Sequence, residues 1–379
     1  MRITFVFAAA AAAVAVLPPR IAAADDDSPG LSIYGFARLD VLSNDARMSD
    51  AASADFVLPA DTPSSREGDF AMTPRLSRVG LSIDEWRVAR RLTGEGKLEI
   101  DFGGGDGTNS LRLRHAYASV AYNRKLQVLA GQTWDLASPL YPSAQNDGQL
   151  RFAGNLGDRR PQVRLEALGE HVHVGVGASA TGARARMDLD GDGMADGVAT
   201  EAPMLQWLVE VRQRARGNIA RVGLSGHATY ENGAGARERR GRSVGLHAFI
   251  PVARKLVALG EGYVGENLAD LGGSVGEKVD EMLDPAQMKA IRSVGGWFEL
   301  AWLPSNKSML ALGTSYDSAL DRTVADGHRT RNRTTYGVVR YMPKPALQLG
   351  VEYLSWTTEY KNVGSAQANR LDLHATVFF

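Results

Sequence analysis

The sequence predicts an all-β fold, a transmembrane, antiparallel, up-and-down β-barrel of about sixteen strands. Three observations predict it. The closing segment, Leu371-Asp372-Leu373-His374-Ala375-Thr376-Val377-Phe378-Phe379, alternates apolar with polar residues up to the last phenylalanine. The connections between strand-like segments alternate long and short, and the first residues read as an export signal. An unpaired aromatic edge strand is an aggregation hazard, whereas a barrel pairs its last strand with its first. Taken alone, the closing segment fits the edge of a soluble β-sandwich equally well. The other two observations favour the barrel.

At the start, Met1-Arg2 is followed by an apolar run from Ile3 to Leu17 and by Ala22-Ala23-Ala24 before Asp25-Asp26-Asp27. This pattern predicts a cleaved signal peptide over 1–24 and a barrel domain over 25–379. The run is too short to span a bilayer as a helix, and nothing later approaches about twenty uncharged apolar residues. The chain has no cysteine, which excludes a lipoprotein anchor, a disulfide framework and a thiolate metal site. Basic and acidic residues number 43 each, so no net field draws nucleic acid. The modest hydropathy is compatible with a barrel, because every second residue of each strand is polar.

The strands follow in order. Leu31 to Leu42 opens, and a long connection from Ser43 to Pro74 leads to Leu76 to Trp86. Lys97 to Phe102, Leu111 to Tyr122 and Lys125 to Trp134 come next, with Asn123-Arg124 as a tight turn. Asp135 to Arg160 is long, rich in Pro, Asn, Asp and Gly, and without a sustained period. Pro161 to Leu168 and His171 to Ser179 form a hairpin, and Ala180 to Pro203 is again long. Met204 to Arg214, Asn218 to Tyr230, Asn232 to Arg240, Arg242 to Ile250 and Lys255 to Val264 precede the long stretch Gly265 to Arg292. A short helix is expected over Asp284 to Ile291, with Asp284 as its cap. Ser293 to Leu303, Lys307 to Tyr316, Arg333 to Met342, Ala346 to Trp356 and Glu359 to Ala368 lead into the closing strand. An outer-membrane barrel has short periplasmic turns and longer extracellular loops, whereas a Greek-key sandwich mixes the lengths.

Individual strands assign an inside and an outside. Val163, Leu165 and Ala167 alternate with Gln162, Arg164 and Glu166, and Leu205, Trp207, Val209 and Val211 alternate with Gln206, Glu210 and Arg212. Leu347, Leu349, Val351 and Tyr353 face away from Gln348 and Glu352. An Arg or Lys facing lipid at the midplane costs about 2–4 kcal/mol, so the charged face is expected to be wet. Tyr34, Tyr122, Trp134, Trp302, Tyr341, Trp356 and Phe379 are expected in the interfacial girdles, with ordinary packing as the alternative.

With its signal sequence, sixteen-strand pattern, terminal Phe379 and long segment after the fifth strand, the chain resembles the bacterial general porins. Gly131-Gln132-Thr133-Trp134, followed by Arg159-Arg160-Pro161-Gln162-Val163-Arg164, is similar to the porins related to the dicarboxylate channel DcaP. The opening Ile33-Tyr34-Gly35-Phe36-Ala37-Arg38-Leu39-Asp40 agrees with this. The resemblance implies a homotrimer in the bacterial outer membrane, a C-terminal Phe379 read by barrel-assembly machinery, and an inward-folded constriction loop over Asp135 to Arg160. The N-terminal coiled coil common in that subfamily has no counterpart here, since few residues separate Ala24 from the first strand.

A physical argument for a constriction stands beside the resemblance. A barrel of this size encloses a channel too wide to discriminate small solutes unless a loop narrows it. Asp135, Asp147 and Asp158 are expected to supply negative charge on the loop, which also carries Arg151, Arg159 and Arg160. Arg112, Arg114, Arg164, Arg212, Arg214, Arg221 and Arg242 are expected to supply a positive wall. Facing charges of opposite sign orient dipolar solutes and weight ions by sign. Alternatively, the arginines pair locally with Glu166, Glu210, Glu261, Glu299 and Glu352 and only stiffen the barrel. The expected partners are the lipid bilayer and small hydrophilic solutes, with a mild preference for anions such as carboxylates.

Two further signals concern metals and catalysis. Asp188, Asp190, Asp192, Met194 and Asp196 match the first part of a calcium loop, but Ala199 stands where the bidentate Glu belongs. A structural calcium ion and a solvated acidic tip are both compatible with that pattern, and no cofactor is otherwise required. His171 and His173 have strand spacing, but no further ligand is fixed with His115 or His247 by spacing. No nucleophile-elbow, Walker or dinucleotide motif occurs in a strand-to-helix context, so an enzyme is not expected. A barrel hydrolase and a plugged structural or adhesive barrel are the alternatives.

Overall fold

The computed structural model describes residues 29–104, 109–145, 148–181, 202–233, 237–277, 290–320 and 324–379. Its strands are β1 (Leu31–Asn44), β2 (Asp69–Thr73), β3 (Arg78–Ala89), β4 (Leu92–Gly104), β5 (Ser110–Tyr122), β6 (Leu126–Trp134), β7 (Arg159–Leu168), β8 (Val172–Ser179) and β9 (Met204–Ala215). They continue as β10 (Asn218–Gly233), β11 (Arg237–Ala253), β12 (Leu256–Glu266), β13 (Arg292–Ser305), β14 (Ser308–Ala319), β15 (Arg329–Lys344), β16 (Leu347–Tyr360) and β17 (Gly364–Phe378). All lie in one antiparallel sheet that closes where β1 pairs with β17, from Phe36 opposite Phe378 to Asn44 opposite Arg370. β2 and β3 lie end to end along β1. Pro74 falls in the gap between them, where it has no ladder donor to lose. They form one broken wall strand, and the barrel has sixteen.

One end of the barrel has only tight turns, at 90–91, 123–125, 169–171, 216–217, 254–255, 306–307 and 345–346. The long connections emerge at the other end, as the alternation predicts. At two tight turns, Asn123-Arg124 and Arg216-Gly217, both central residues have positive φ. That is the primed geometry whose twist matches the flanking strands. Two expected strands merge into longer ones. Asn232 to Arg240 supplies the ends of the hairpin β10–β11, and Glu359 to Ala368 is divided by a turn at 361–363, where Asn362 has a φ of 58°. β2 is an addition within the first long connection.

The predicted signal peptide and calcium loop lie outside the described residues, as does nearly all of the predicted helix at Asp284. Its last two residues, Ala290 and Ile291, are not helical. Two 3-10 turns, Ala269–Leu271 and Ser274–Gly276, stand earlier in the same connection.

The two faces separate as the period requires. On β17, Leu371, Leu373 and Val377 are 41–52% exposed, while Arg370, Asp372, His374 and Thr376 are at most 3% exposed. Leu205, Val209, Val211, Val163, Leu165, Leu349 and Val351 continue the exposed apolar face around the wall. Among the expected girdle residues, Tyr122, Trp302, Tyr341 and Phe379 lie on this outer face. Trp356 is fully buried inside, Tyr34 donates to Glu99 on the inner face, and Trp134 stacks on Tyr141. Tyr34 shares its strand parity with Arg38 and Asp40, and Trp356 shares its parity with Glu352, which places both inside. No described helix is long and apolar enough to cross a membrane.

The interior is not uniformly wet. Met48, Ala54 and Val57 of the first long connection join Leu140, Ala144, Leu150 and Ala153 of the segment after β6. Both pack on inward residues of β11 to β17, including Phe249, Leu259, Trp297, Tyr336, Leu354 and Trp356. This half of the wall is covered from within by apolar contacts.

Candidate pore constriction

The segment between β6 and β7 begins and ends in a charge clamp. Asp135 pairs with Arg160 at 2.8 Å and accepts hydrogen bonds from the Asp158 backbone N–H and from Gln206, both at 2.9 Å. Arg160 continues to Asp270 at 2.7 Å, tying in the connection after β12. Asp158 pairs with Arg151, whose Nε donates to the Gly157 carbonyl. Burial beside Asp135 pushes the Tyr141 hydroxyl well above its ordinary value, so it stays neutral. Each of these charges is satisfied within the clamp, which fixes the direction in which the segment leaves the wall.

From that base the segment crosses the inside of the barrel. The N–H groups of Leu136 and Ala137 donate to Gln206 on β9, and Ser225 on β10 donates to the Ala137 carbonyl. Leu140 N–H donates to Glu261 on β12 at 2.6 Å, and Ser143 donates to Glu299 on β13 from both its N–H and its hydroxyl. Gln145 N–H donates to Glu352 on β16 at 2.8 Å, and Arg340 on β15 donates to the Ser143 carbonyl. All these wall residues face inward, so the segment lies within the barrel. A loop removed from bulk water needs partners for its backbone donors, and the inward glutamates provide them.

This arrangement divides the five glutamates that are alternative arginine partners. Glu166 pairs with Arg164 at 2.9 Å and Glu210 with Arg212 at 2.5 Å, as local pairing expects. Glu261 and Glu299 are loop anchors, and Glu352 anchors the loop while also contacting Arg340.

The opposite wall is cationic. Arg78 on β3, Lys97 on β4 and Arg112 and Arg114 on β5 surround Glu99 and Asp101, with contacts of 2.6–3.3 Å. Four cations thus meet two carboxylates. Arg114 reaches this group through a β-bulge: Glu99 stands opposite His115 and Ile100 opposite Leu113, leaving Arg114 as the extra residue. The bulge turns Arg114 and His115 both inward, breaking the alternation. Arg159 lies over the Trp134 ring at 4.4 Å, and Trp134 contacts Tyr141 and His115. Further along, Arg164, Arg212 and Arg221 accompany Glu166 and Glu210 on β7, β9 and β10.

The expected site residues therefore fall into three groups. Arg112, Arg164 and Arg212 keep side-chain exposures of 24, 15 and 27% on the inner wall. Arg114, Arg151, Arg159 and Arg160 are buried in ion pairs and stacking, and Asp135 and Asp158 sit in the clamp instead of presenting an acidic face to the arginines. Asp147 lies outside the described residues. Arg242 has the parity of Val244 and Leu246 on the outer face and pairs with Glu266, so it is not part of the inner wall. Arg78, Lys97, Glu99 and Asp101 were missed, although Lys97, Glu99 and Asp101 show the inward period of β4. His115 pairs with Thr133, whereas His173 lies 3.1 Å from Glu166 and 4.0 Å from Glu210, which also holds His247 at 3.1 Å.

A sixteen-stranded closed barrel with an apolar outer face, tight turns at one end and a loop folded into its lumen defines the architecture of a porin. Within that architecture, the chain is similar to the outer membrane channel DcaP of Acinetobacter baumannii, with a TM-score of 0.77 and 19% identity, covering 94% of this chain and 99% of that one. It is also similar to an anion-selective porin from Comamonas acidovorans (TM-score 0.62, 11% identity, 93% and 100% covered). A third similarity is to Salmonella typhi OmpF, solved with daunomycin (TM-score 0.59, 11% identity, 94% and 99% covered). These likenesses are of fold. No protein-family model matches the chain, and no curated protein matches it.

Proposed function

We propose that the protein is a bacterial outer-membrane porin through which small hydrophilic solutes diffuse, with a mild preference for anions such as carboxylates. The observation that carries the preference is the inner wall where Arg78, Lys97, Arg112 and Arg114 outnumber Glu99 and Asp101, facing a loop whose Asp135 and Asp158 are already paired. A surplus of fixed positive charge beside a narrow aqueous path raises the local concentration of anions and lowers that of cations. The fold neighbours support the channel reading, and one of them is named as anion-selective. The working unit in this proposal is a homotrimer, a form in which the similarly folded OmpT of Vibrio cholerae is named, and the strand ending in Phe379 is the segment that barrel-assembly machinery would read. Single-channel recording tests the proposal: steady conductance that dicarboxylates block more strongly than sugars or diamines is expected. A silent barrel would favour the plugged alternative, to which the apolar cluster within the lumen lends weight.

A further inference from the structure

We propose that Asp40, Asp372 and His374 form a binding site for a divalent first-row transition-metal ion at the seam where the first strand meets the last. The site is independent of the solute path argued above. One ligand atom from each of the three residues lies within 4.8 Å of the other two, and all three residues are buried. The backbone places them there. His374 stands directly opposite Asp40 across the β1–β17 ladder, Asp372 is two residues away on the same inward face, and Glu352 stands opposite Asp372 on β16.

The second observation is His374 itself. It is 3% exposed, and neither ring nitrogen has a hydrogen-bond partner among the described residues; Asp372 Oδ1 is likewise buried and unpartnered. A buried imidazole ordinarily has a partner for at least one nitrogen, because leaving a polar group unsatisfied costs about 1–3 kcal/mol. Gly350, opposite His374 on β16, makes room for the ring: a Cβ there would lie 2.0 Å from Nε2. A metal–ligand bond of about 2.0–2.2 Å from each residue would satisfy one imidazole nitrogen and Asp372 together.

The donor set indicates the class of ion. One imidazole and two carboxylates suit zinc and its first-row neighbours better than calcium or magnesium, which take all-oxygen shells. Arg38 Nε contacts both oxygens of Asp40, at 2.8 and 3.0 Å, and its Nη2 lies 4.0 Å from Asp372. An ionised carboxylate has lone pairs for both an arginine and a metal, and Arg38 would orient Asp40 as an outer hydrogen-bond partner. Arg38 also donates to Gln145 on the infolded segment. An ion here would join the first strand, the last strand and the surroundings of the loop.

The test uses the purified, folded barrel and zinc chloride. Calorimetric titration is expected to show one site per chain, insensitive to excess magnesium, weakened more than about tenfold in His374→Ala and in Asp372→Asn. His171→Ala, in a turn, is expected to bind as the unaltered protein does. Zinc is also expected to raise the unfolding temperature of the unaltered barrel, because an ion bound only by the folded state stabilises it. No zinc binding by the unaltered protein, or equal binding by His374→Ala, overturns the proposal. If both variants fail to fold, anomalous diffraction at the zinc edge from crystals of the unaltered protein decides: a peak between the three side chains supports the site, and its absence overturns it.

Discussion

Each inward charge in this barrel has a task set by what surrounds it. Arg160 neutralises Asp135 where both are buried, and removing one partner leaves the other as an uncompensated buried charge. Arg160→Ala is expected to destabilise the barrel by about 3–5 kcal/mol, or to release the loop base, as read by thermal unfolding and by noisier open-channel current. Arg112 is less buried and shares Asp101 with Arg114. Arg112→Gln combined with Lys97→Gln is therefore expected to leave unfolding nearly unchanged and to reduce anion preference, measured as the chloride-to-potassium permeability ratio. Strand parity made the inward positions of Arg112, Arg164 and Arg212 legible in the sequence, and the same parity would have excluded Arg242. It failed for His115, which a bulge turns inward beside Arg114, because a bulge depends on the partner strand's register. It also gave no sign that Glu261, Glu299 and Glu352 would be taken by loop N–H groups, since that depends on a path through the interior rather than on a local pattern.

At the scale of elements, the strands and their alternating connections were legible because period two and turn chemistry are local. The errors fell where a separate strand was expected at 232–240 although Asn232-Gly233 ends β10, and where Pro74 splits a wall strand into two short ladders. The direction of the segment after β6 rested on resemblance and on the need to narrow a wide barrel, and its anchors supply the physical reason. Removing residues 139–150 is expected to raise single-channel conductance several-fold while the barrel still inserts; unchanged conductance would show that the segment does not limit flow. The closing strand carries its own prediction. Phe379 exchanges backbone hydrogen bonds of 3.1 Å with Gly35, and its ring lies where a Cβ on Gly35 would stand 2.7 Å away. Deleting Phe379 is expected to leave export intact and reduce the heat-modifiable, membrane-inserted fraction on gels, and unaltered insertion would count against its role in assembly.

The whole molecule is a barrel whose outer face matches lipid and whose interior has two unlike halves. Apolar contacts with two infolded segments cover the wall from β11 to β17, and a network rich in arginine lines β3 to β10. Neutral overall charge hides this division, because the 43 basic and 43 acidic residues are sorted by position. The acids are largely engaged in holding loops, while several arginines and Lys97 retain partial exposure beside the lumen. That sorting supports the central proposal, that the barrel is an open, anion-preferring channel. The most direct measurement is the reversal potential across a planar bilayer separating unequal potassium chloride concentrations. A steady conductance whose reversal potential shifts towards the chloride equilibrium value is the result predicted. A shift towards the potassium value, or no conductance at all, would contradict it.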